Sequence, residues 1–439
     1  MNFMGKIYLV SLGCEKNRVD GELLVGELRQ RGFIVTNSPD EACVIIINTC
    51  GFIKDAVQES IDMVLELVEY KESGSCKAIF VMGCMAQRYF DEVKRDMPEV
   101  DAVFGVGENK KILEAIALLV EPEELPENCK HARLAARVDD AMPHIAYVKI
   151  AEGCDNNCTY CTIPMIRGKY ISRPMEEILD ECSTLIDSGV KEIILIAQDT
   201  ALYGVDLYGE KRLPELIGEL DKLEGLLWLR IMYIYPEHIT PKLITALSKS
   251  QKFCRYLDMP IQHCDEGILK LMGRNIGKYE LSNLVRVLRD RVPGIALRTT
   301  VMVGFPGETE VEFKDLLQFI KEMKFDRLGV FPYSQEEGTA AAVLPKQKRE
   351  QTKKNRYNRI MRKQQAIHFA KQKAKIGTSE YVIIDGKEGE FYVGRTHADA
   401  LDVDALVYID SDKPLEQGSI VLVKITGQYG DGYDLRARA

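Results

Sequence analysis

The chain has 439 residues, 46% hydrophobic and 28% charged, with 12 cysteines and a formal charge of −9. That profile excludes a disordered or fibrous chain and suits a soluble globular protein of about three domains. No apolar run approaches the roughly 18 residues of a membrane span, and residues 1–11 lack the regions of a signal peptide. A cytoplasmic location is therefore expected, with cysteines serving metal or redox chemistry rather than disulfides. Up to residue 121, apolar strands at 6–12, 43–48 and 78–82 alternate with helical patterns such as 56–70. Continuous β-branched runs between helices predict a parallel α/β sandwich, its sheet covered on both faces. Residues 122–143, with Pro122, Pro126 and Pro143 among charges, read as a linker. A second βα series fills 144–345, with strands at 146–150, 192–197, 227–234, 256–261, 295–303 and 328–333. Helices such as 176–188 and 310–323 lie between them. Six βα units predict a partial (β/α)6 barrel rather than the eight units of a full one. Residues 346–376 read as a basic helix closing that core, with Tyr357, Ile360, Met361 and Ile367 on one face. The stretch 346–375 carries twelve Lys/Arg against one acid, a charge of +11. Residues 377–439 turn to β character and outline a small antiparallel five-stranded barrel, like the oligonucleotide-binding barrels. Its net charge over 380–439 is −6.

Cys154, Cys158 and Cys161 stand in a C-x3-C-x2-C run just after the first strand of the second series. Three thiolates on one loop can hold three irons of a four-iron cluster, whose full ligation takes four. The fourth iron is then open to chelation. A structural zinc site would want four ligands in closed geometry, and the next cysteine is Cys182. The spacing resembles that of the radical S-adenosylmethionine (SAM) superfamily.

Cys14, Cys50 and Cys84 form a second set. Each lies just past the carboxyl end of an expected parallel strand, and Gly13, Gly51 and Gly83 flank them. Carboxyl ends of parallel strands share one edge, where ligands bind. A buried cysteine is common in any core, but three at matching positions point to a second three-cysteine cluster. Cys43, Cys76, Cys129, Cys182 and Cys254 read as ordinary core or loop residues. Cys264 reads the same way, although it could line the active site.

The motifs Ser11-Leu-Gly-Cys-Glu-Lys-Asn17 with Asp20, Asn48-Thr-Cys-Gly51, Gly83-Cys-Met-Ala-Gln87 and the run from Gly153 to Arg173 resemble the methylthiotransferases. The resemblance covers nearly the whole chain and identifies the terminal barrel as a TRAM domain. One branch of that family modifies an adenosine beside the tRNA anticodon. The other thiomethylates the β-carbon of an aspartate in small-subunit ribosomal protein S twelve. The tRNA branch usually reads Gly-Cys-Gln-Met-Asn where this chain has Gly13-Cys-Glu-Lys-Asn17. That motif, Gln198-Asp-Thr200 and Gln262-His263 favour the ribosomal-protein branch, with tRNA as the alternative substrate.

The resemblance implies two [4Fe-4S] clusters, one per cysteine set, and two SAM. One SAM methylates a sulfur at the N-terminal cluster, and the other yields a radical at the barrel cluster. A sulfur donor and a reducing electron donor are implied as partners. SAM itself would contact Tyr160, Gln198, Gln262 and Arg298, the last three at or near the ends of the second, fourth and fifth barrel strands, and the 302–308 turn resembles an adenine-contacting one. Each polar residue could equally serve a structural hydrogen bond. The acidic terminal barrel, with Asp399, Asp402, Asp404, Asp410 and Asp412, would repel tRNA and attract a basic ribosomal protein. The basic helix could touch ribosomal RNA, or be a solvated face packed by Ile360 and Ile367. A non-catalytic, metal-stabilised RNA-binding protein would suit these last two segments, but it leaves two open cysteine sets unexplained.

Overall fold

The computed structural model describes residues 5–74, 76–122 and 142–439. Cys129 and nearly all of the expected linker lie outside the described residues. Two compact units result. The first joins the described residues up to 122 with 147–155 and 161–171; the second joins 142–146, 156–160 and 172–439. Among the described residues, no helix is long and apolar enough to cross a membrane.

In the first unit, β1 (Lys6–Ser11), β2 (Ile34–Thr36), β3 (Ala42–Thr49), β4 (Ala78–Gly83) and β5 (Ala102–Phe104) make a parallel sheet ordered β2-β1-β3-β4-β5. All of β3 is buried, as an apolar run covered on both faces must be. Its Val44 and Ile46 pack with Leu24 and Leu28 of α1 (Glu15–Gln30). Ile45 and Ile47 face the other way, toward Val64 and Leu67 of α2 (Lys54–Ser73). The helices α3 (Cys84–Arg88), α4 (Phe90–Asp96) and α5 (Asn109–Ala117) complete the layers. The edge strands β2 and β5 were not expected, because three residues are too few to show a period. Strand order reverses between β1 and β3. That switch point, at the carboxyl edge, is where open α/β sheets bind ligands.

The strand β6 (Ile145–Lys149) precedes β7 (Ala151–Glu152), α6 (Ile163–Arg167) and β8 (Ile171–Ser172), with β7 and β8 paired. Then follow α7 (Met175–Asp187), β9 (Glu192–Ile196), α8 (Val205–Tyr208), α9 (Leu213–Leu220) and β10 (Trp228–Ile231). Next come α10 (Pro241–Lys249), β11 (Phe253–Asp258), α11 (Glu266–Leu271), α12 (Lys278–Arg291), β12 (Ala296–Val303), α13 (Glu310–Met323) and β13 (Arg327–Pro332). The sheet order is sequential, β13-β12-β11-β10-β9-β6, and β9 to β13 pair in parallel. This is the six-unit open barrel that the sequence implies. A capping box of Thr309 and Glu312 starts α13, satisfying backbone donors that a helix leaves orphaned.

The helix α14 (Glu350–Lys375) follows, and here the expected apolar face is corrected. Its buried residues are Lys353, Arg356, Ile360, Gln364, His368 and Gln372, while Tyr357, Met361 and Ile367 are only half-buried. Arg356 binds the buried Glu308 at 2.9 Å, and Gln364 donates to the Phe325 carbonyl. Polar partners on the barrel, absent from the helix's own sequence, decide which side is buried. Ile360 packs inward as expected, with polar residues on either side of it.

The last strands are β14 (Ser379–Glu388), β15 (Phe391–Thr396), β16 (Val407–Asp410), β17 (Ile420–Tyr429) and β18 (Asp434–Arg438). They close into a barrel ordered β14-β15-β16-β18-β17. The expectation of a purely antiparallel barrel is corrected: β16 and β18 run parallel. A closed ring with an odd number of strands cannot alternate direction all the way round, so one parallel pair is forced.

The acidic cluster is also reinterpreted. Asp399 is buried and contacts Arg327. Asp404 accepts from the Tyr256 hydroxyl at 2.7 Å and lies 3.7 Å from Arg327. Asp410 and Asp412 pair with Arg436 and Arg438. Two of these acids therefore fasten the small barrel to β11 and β13 instead of facing solvent. A second buried network does the same. Glu192, at the start of β9, accepts from Arg230 at 2.8 Å and from Arg395 at 2.7 Å. Arg395 also binds Asp385 at 2.7 Å, and Asp385 meets His144 at 2.9 Å.

Candidate functional site

Cys14, Cys50 and Cys84 follow β1, β3 and β4, and the parallel topology brings their ends to one edge. Convergence is close. A Cβ on Gly13, whose φ is +86°, would stand 2.7 Å from Cys50 Sγ. One on Gly51 would meet the Cys84 carbonyl carbon at 2.8 Å. Only glycine allows both approaches. The Asn17 amide donates to the Leu12 carbonyl (2.7 Å) and the Asn48 carbonyl (3.2 Å), tying the β1 turn to the end of β3. Ser60 Oγ on α2 accepts from the Cys50 N–H at 3.0 Å. Cys14 is exposed, and the other two are buried. Burial pushes the Cys84 thiol up to about 11, with Arg167 pulling down and Cys14 and Cys50 pushing up. Burial raises Cys50 too.

Around this set stand charges that the sequence reading did not single out. Arg167, the last residue of α6, lies 3.3 Å from Cys84 Sγ, 2.9 Å from Asp20 and 3.0 Å from Glu152. Lys149 contacts the same two carboxylates. Burial alone would raise Glu152, but Lys149 and Arg167 outweigh it and hold its carboxyl down at about 2. Arg167 and Asp20 are visible in the sequence only as members of longer motifs.

The C-x3-C-x2-C loop is fixed at several points. The Cys154 N–H donates to the Gly168 carbonyl at 3.1 Å. Cys161 Sγ accepts from the Ile163 N–H at 3.5 Å. Cys158 Sγ lies 3.4 Å from the Tyr235 hydroxyl. Thr159 donates through its N–H to the Met272 carbonyl (3.0 Å) and through its hydroxyl to the Leu271 carbonyl (2.7 Å). Asn156 donates to Asp199 at 3.0 Å, and Asp199 holds His238 Nδ1 at 2.5 Å. The Arg274 guanidinium caps Tyr235 at 4.2 Å and pairs with Glu237 at 2.5 Å.

Of the four expected SAM contacts, Tyr160 meets Phe305 edge-on at 6.4 Å. Phe305 belongs to the 302–308 turn after β12. Glu308 braces that turn by accepting from the Gly304 N–H and pairing with Arg356. Gln198 lies two residues past β9, beside Asp199. Gln262 sits at φ +63° and bridges to Val301. Arg298 departs from expectation. It is the third residue of β12 rather than near its carboxyl end, 3.8 Å from Asp258. Cys264 keeps its reading as an ordinary core residue: it is fully buried, its thiol 3.7 Å from Asp315 of α13, in the outer layer.

Among the described residues, no three His, Cys, Asp or Glu side chains stand close enough to share one metal ion. A four-iron cluster distributes its thiolates over separate irons, so its ligands stand farther apart than those of a single ion. The donor chemistry, three thiols with no carboxylate or imidazole among them, fits iron–sulfur ligation.

Comparison with known proteins is consistent with this geometry. Residues 6–105 match a family described as Uncharacterized protein family UPF0004, 148–320 the Radical SAM superfamily, and 376–439 a TRAM domain. A "Ribosomal protein uS12 methylthiotransferase RimO" from Clostridium tetani is 45% identical over 96% of this chain and 95% of its own length. The RimO of Clostridium kluyveri is 46% identical over 98% of this chain and 97% of its own length. That of Desulforudis audaxviator is 44% identical over 99% and 96%. This chain belongs to the RimO family. It is thus a radical-SAM methylthiotransferase by family, with the α/β, radical-SAM and TRAM organisation seen above. The fold is also similar to that of the radical SAM methyltransferase TsrM from Kitasatospora setae. There the TM-score is 0.53 at 14% identity, covering 74% of this chain and 72% of that one. A second structure of the same protein carries a [4Fe-4S] cluster.

Proposed function

We propose that this RimO-family chain thiomethylates the β-carbon of an aspartate in ribosomal protein uS12, consuming two SAM and sulfur from a donor. Relatives named for that protein, 45% identical over 96% of the chain, support the substrate. The observation that carries the chemistry is the convergence of Cys14, Cys50 and Cys84 at one sheet edge, in a chain that also holds a radical-SAM cysteine loop.

In this reading Cys14, Cys50 and Cys84 hold one [4Fe-4S] cluster, and Cys154, Cys158 and Cys161 hold another. With SAM bound, these groups supply removal of hydrogen from an unactivated C–H bond, which no side-chain acid or base can do. The rest falls to the chain. Tyr160, steadied by Phe305, packs against the adenine. Gln198 and Gln262 hold polar parts of SAM. Arg298, anchored by Asp258, sits deeper and contacts whatever reaches the barrel interior. Thr159, tied to two carbonyls and accepting from the Ala341 N–H, keeps the loop rigid.

The proposed division is 1–121 for the N-terminal domain, 122–143 for a linker and 144–345 for the radical-SAM core. The helix of 346–376 then closes the core, and the TRAM domain at 377–439 grips the substrate. Its exposed acids, among them Glu388, Glu390, Asp402 and Glu416, suit a basic ribosomal protein. The partners are uS12, an electron donor and a sulfur donor, in the cytoplasm. Mass spectrometry of uS12 and of tRNA, from cells with and without this chain, tests the reading. Loss of the modification from uS12 alone is expected. A purified, reconstituted chain that modified tRNA and left uS12 untouched would overturn it.

A further inference from the structure

Arg167 is more thoroughly tied down than an ion pair requires. It ends α6, the five-residue helix that starts two residues after Cys161. Its Nη1 donates to Glu152 at 3.0 Å. Its Nη2 meets Asp20 at 2.9 Å, Asn17 Oδ1 at 3.4 Å and Cys84 Sγ at 3.3 Å. Just beyond it, the Gly168 carbonyl accepts from the Cys154 N–H, which fixes the backbone from which the side chain extends. At the other end of α6, Thr162 donates to the carbonyl of Phe52, two residues after Cys50. Asp20 and Glu152 do not depend on this residue alone for a cation, since Lys149 contacts both. Beyond those two carboxylates, Arg167 reaches Asn17 Oδ1 and the Cys84 sulfur. A guanidinium cannot be deprotonated in a protein and offers five donors in a fixed fork. It can therefore serve two carboxylates and still present an N–H to a third acceptor.

Hydrogen bonds to the sulfurs are among the factors that set an iron–sulfur cluster's reduction potential. An added electron increases the charge on the sulfur ligands, so a donor there favours the reduced state. We propose that Arg167 is a positioning residue for a cluster held by Cys14, Cys50 and Cys84, donating from Nη2 to the Cys84 sulfur and raising that cluster's reduction potential. The inference rests on the reading that these three cysteines hold a cluster.

The test uses the full chain with Cys154→Ala, Cys158→Ala and Cys161→Ala, so that only the N-terminal set can load. Iron content is measured, and the cluster is titrated reductively with dithionite while electron paramagnetic resonance follows its reduced state. Arg167→Gln is expected to keep iron and shift the one-electron equilibrium at least tenfold toward the oxidised form, about 59 mV. Arg167→Lys, which keeps the charge and loses the fork, should shift it in the same direction by less. Asp20→Asn removes a nearby negative charge without touching the sulfur, and should move the potential the opposite way. An unchanged potential in both Arg167 variants would overturn the proposal, as would a fall in Asp20→Asn equal to that in Arg167→Gln. If both Arg167 variants lose iron while Asp20→Asn stays loaded, the sulfur donor holds the ligand set together, as proposed. Iron loss in all three would show an ion network with no specific role at the sulfur, against the proposal. No iron in the parent itself would refute the cluster reading instead, which separates the two failures.

Discussion

Glu192→Gln should weaken the chain more than any surface change. Glu192 is fully buried, with Arg230 on one oxygen and Arg395 on the other. With Asp385 the four charges balance. Glutamine has nearly the same shape, but its amide turns one acceptor into a donor aimed at a guanidinium. Two buried cations would then share one carboxylate. Breaking a buried pair from one side typically costs about 3–5 kcal/mol, and that range is expected here. Trp228, the only tryptophan, opens β10 with its ring 6.0 Å from Arg230, so its fluorescence reports on this region during urea unfolding. The acid side has a definite sign. Burial would raise the Glu192 and Asp385 pKa values, yet the arginines outweigh it and hold both below the usual carboxylate range. Their contribution is complete above the unfolded values near 4 and is lost as pH falls through the depressed folded ones. The wild type should therefore lose stability steeply below about pH 4, and Glu192→Gln less steeply. Adding Arg395→Met to Glu192→Gln should cost less than the two single changes added together. A Glu192→Gln protein within about 0.5 kcal/mol of wild type, or a strictly additive double variant, would refute this account.

Cys154→Ala, Cys158→Ala or Cys161→Ala should abolish SAM cleavage, and normal 5′-deoxyadenosine output from any of them would contradict the assignment. Cys14→Ala, Cys50→Ala or Cys84→Ala should lose methylthio transfer yet still release some 5′-deoxyadenosine, measured by chromatography. Full transfer by all three would make that set merely structural. His368 Nδ1 faces Arg327 at 3.0 Å and its Nε2 faces the Tyr433 carbonyl at 2.8 Å. Burial and then Arg327 hold its pKa down, so the unfolded chain protonates first. Stability should decline as pH drops below about 6.5 and level off past the folded value, and His368→Gln should flatten that segment of the urea-midpoint profile. Asp404→Ala should lower the unfolding midpoint because the Tyr256 hydroxyl and the Ala400 N–H lose an acceptor and Arg327 an ion-pair partner, whereas the exposed Glu390→Ala should leave it unchanged.

What was legible in the sequence was whatever is encoded locally. Continuous apolar runs marked β3 and the barrel strands because burial on both faces demands them. The C-x3-C-x2-C loop was visible because its three cysteines lie within eight residues. Cys14, Cys50 and Cys84 are far apart, yet a parallel sheet sends every carboxyl end to the same edge, so topology makes their convergence readable. What stayed hidden depends on partners distant in the chain. Arg356 is buried because Glu308 waits 48 residues earlier, and nothing in the helix itself distinguishes it from its solvated neighbours. Asp399 and Asp404 looked like surface charge because Arg327 lies more than seventy residues away.

The same limit explains why net charge overstated the exposed acidity of the terminal barrel. A count of acids measures the field at a distance only if those acids face water. Here Asp385, Asp399 and Asp404 are consumed by Arg395 and Arg327 in the interior. The charge that a substrate can sense is therefore a smaller set, carried by loops and strand ends. Substitutions probing recognition belong at Glu388, Glu390, Asp402 and Glu416, which are exposed. At these sites Lys replacement should slow association with uS12, more so at low salt, where screening is weakest. Equal association rates for the quadruple variant and the wild type at low ionic strength would show that the acidic barrel does not steer the substrate.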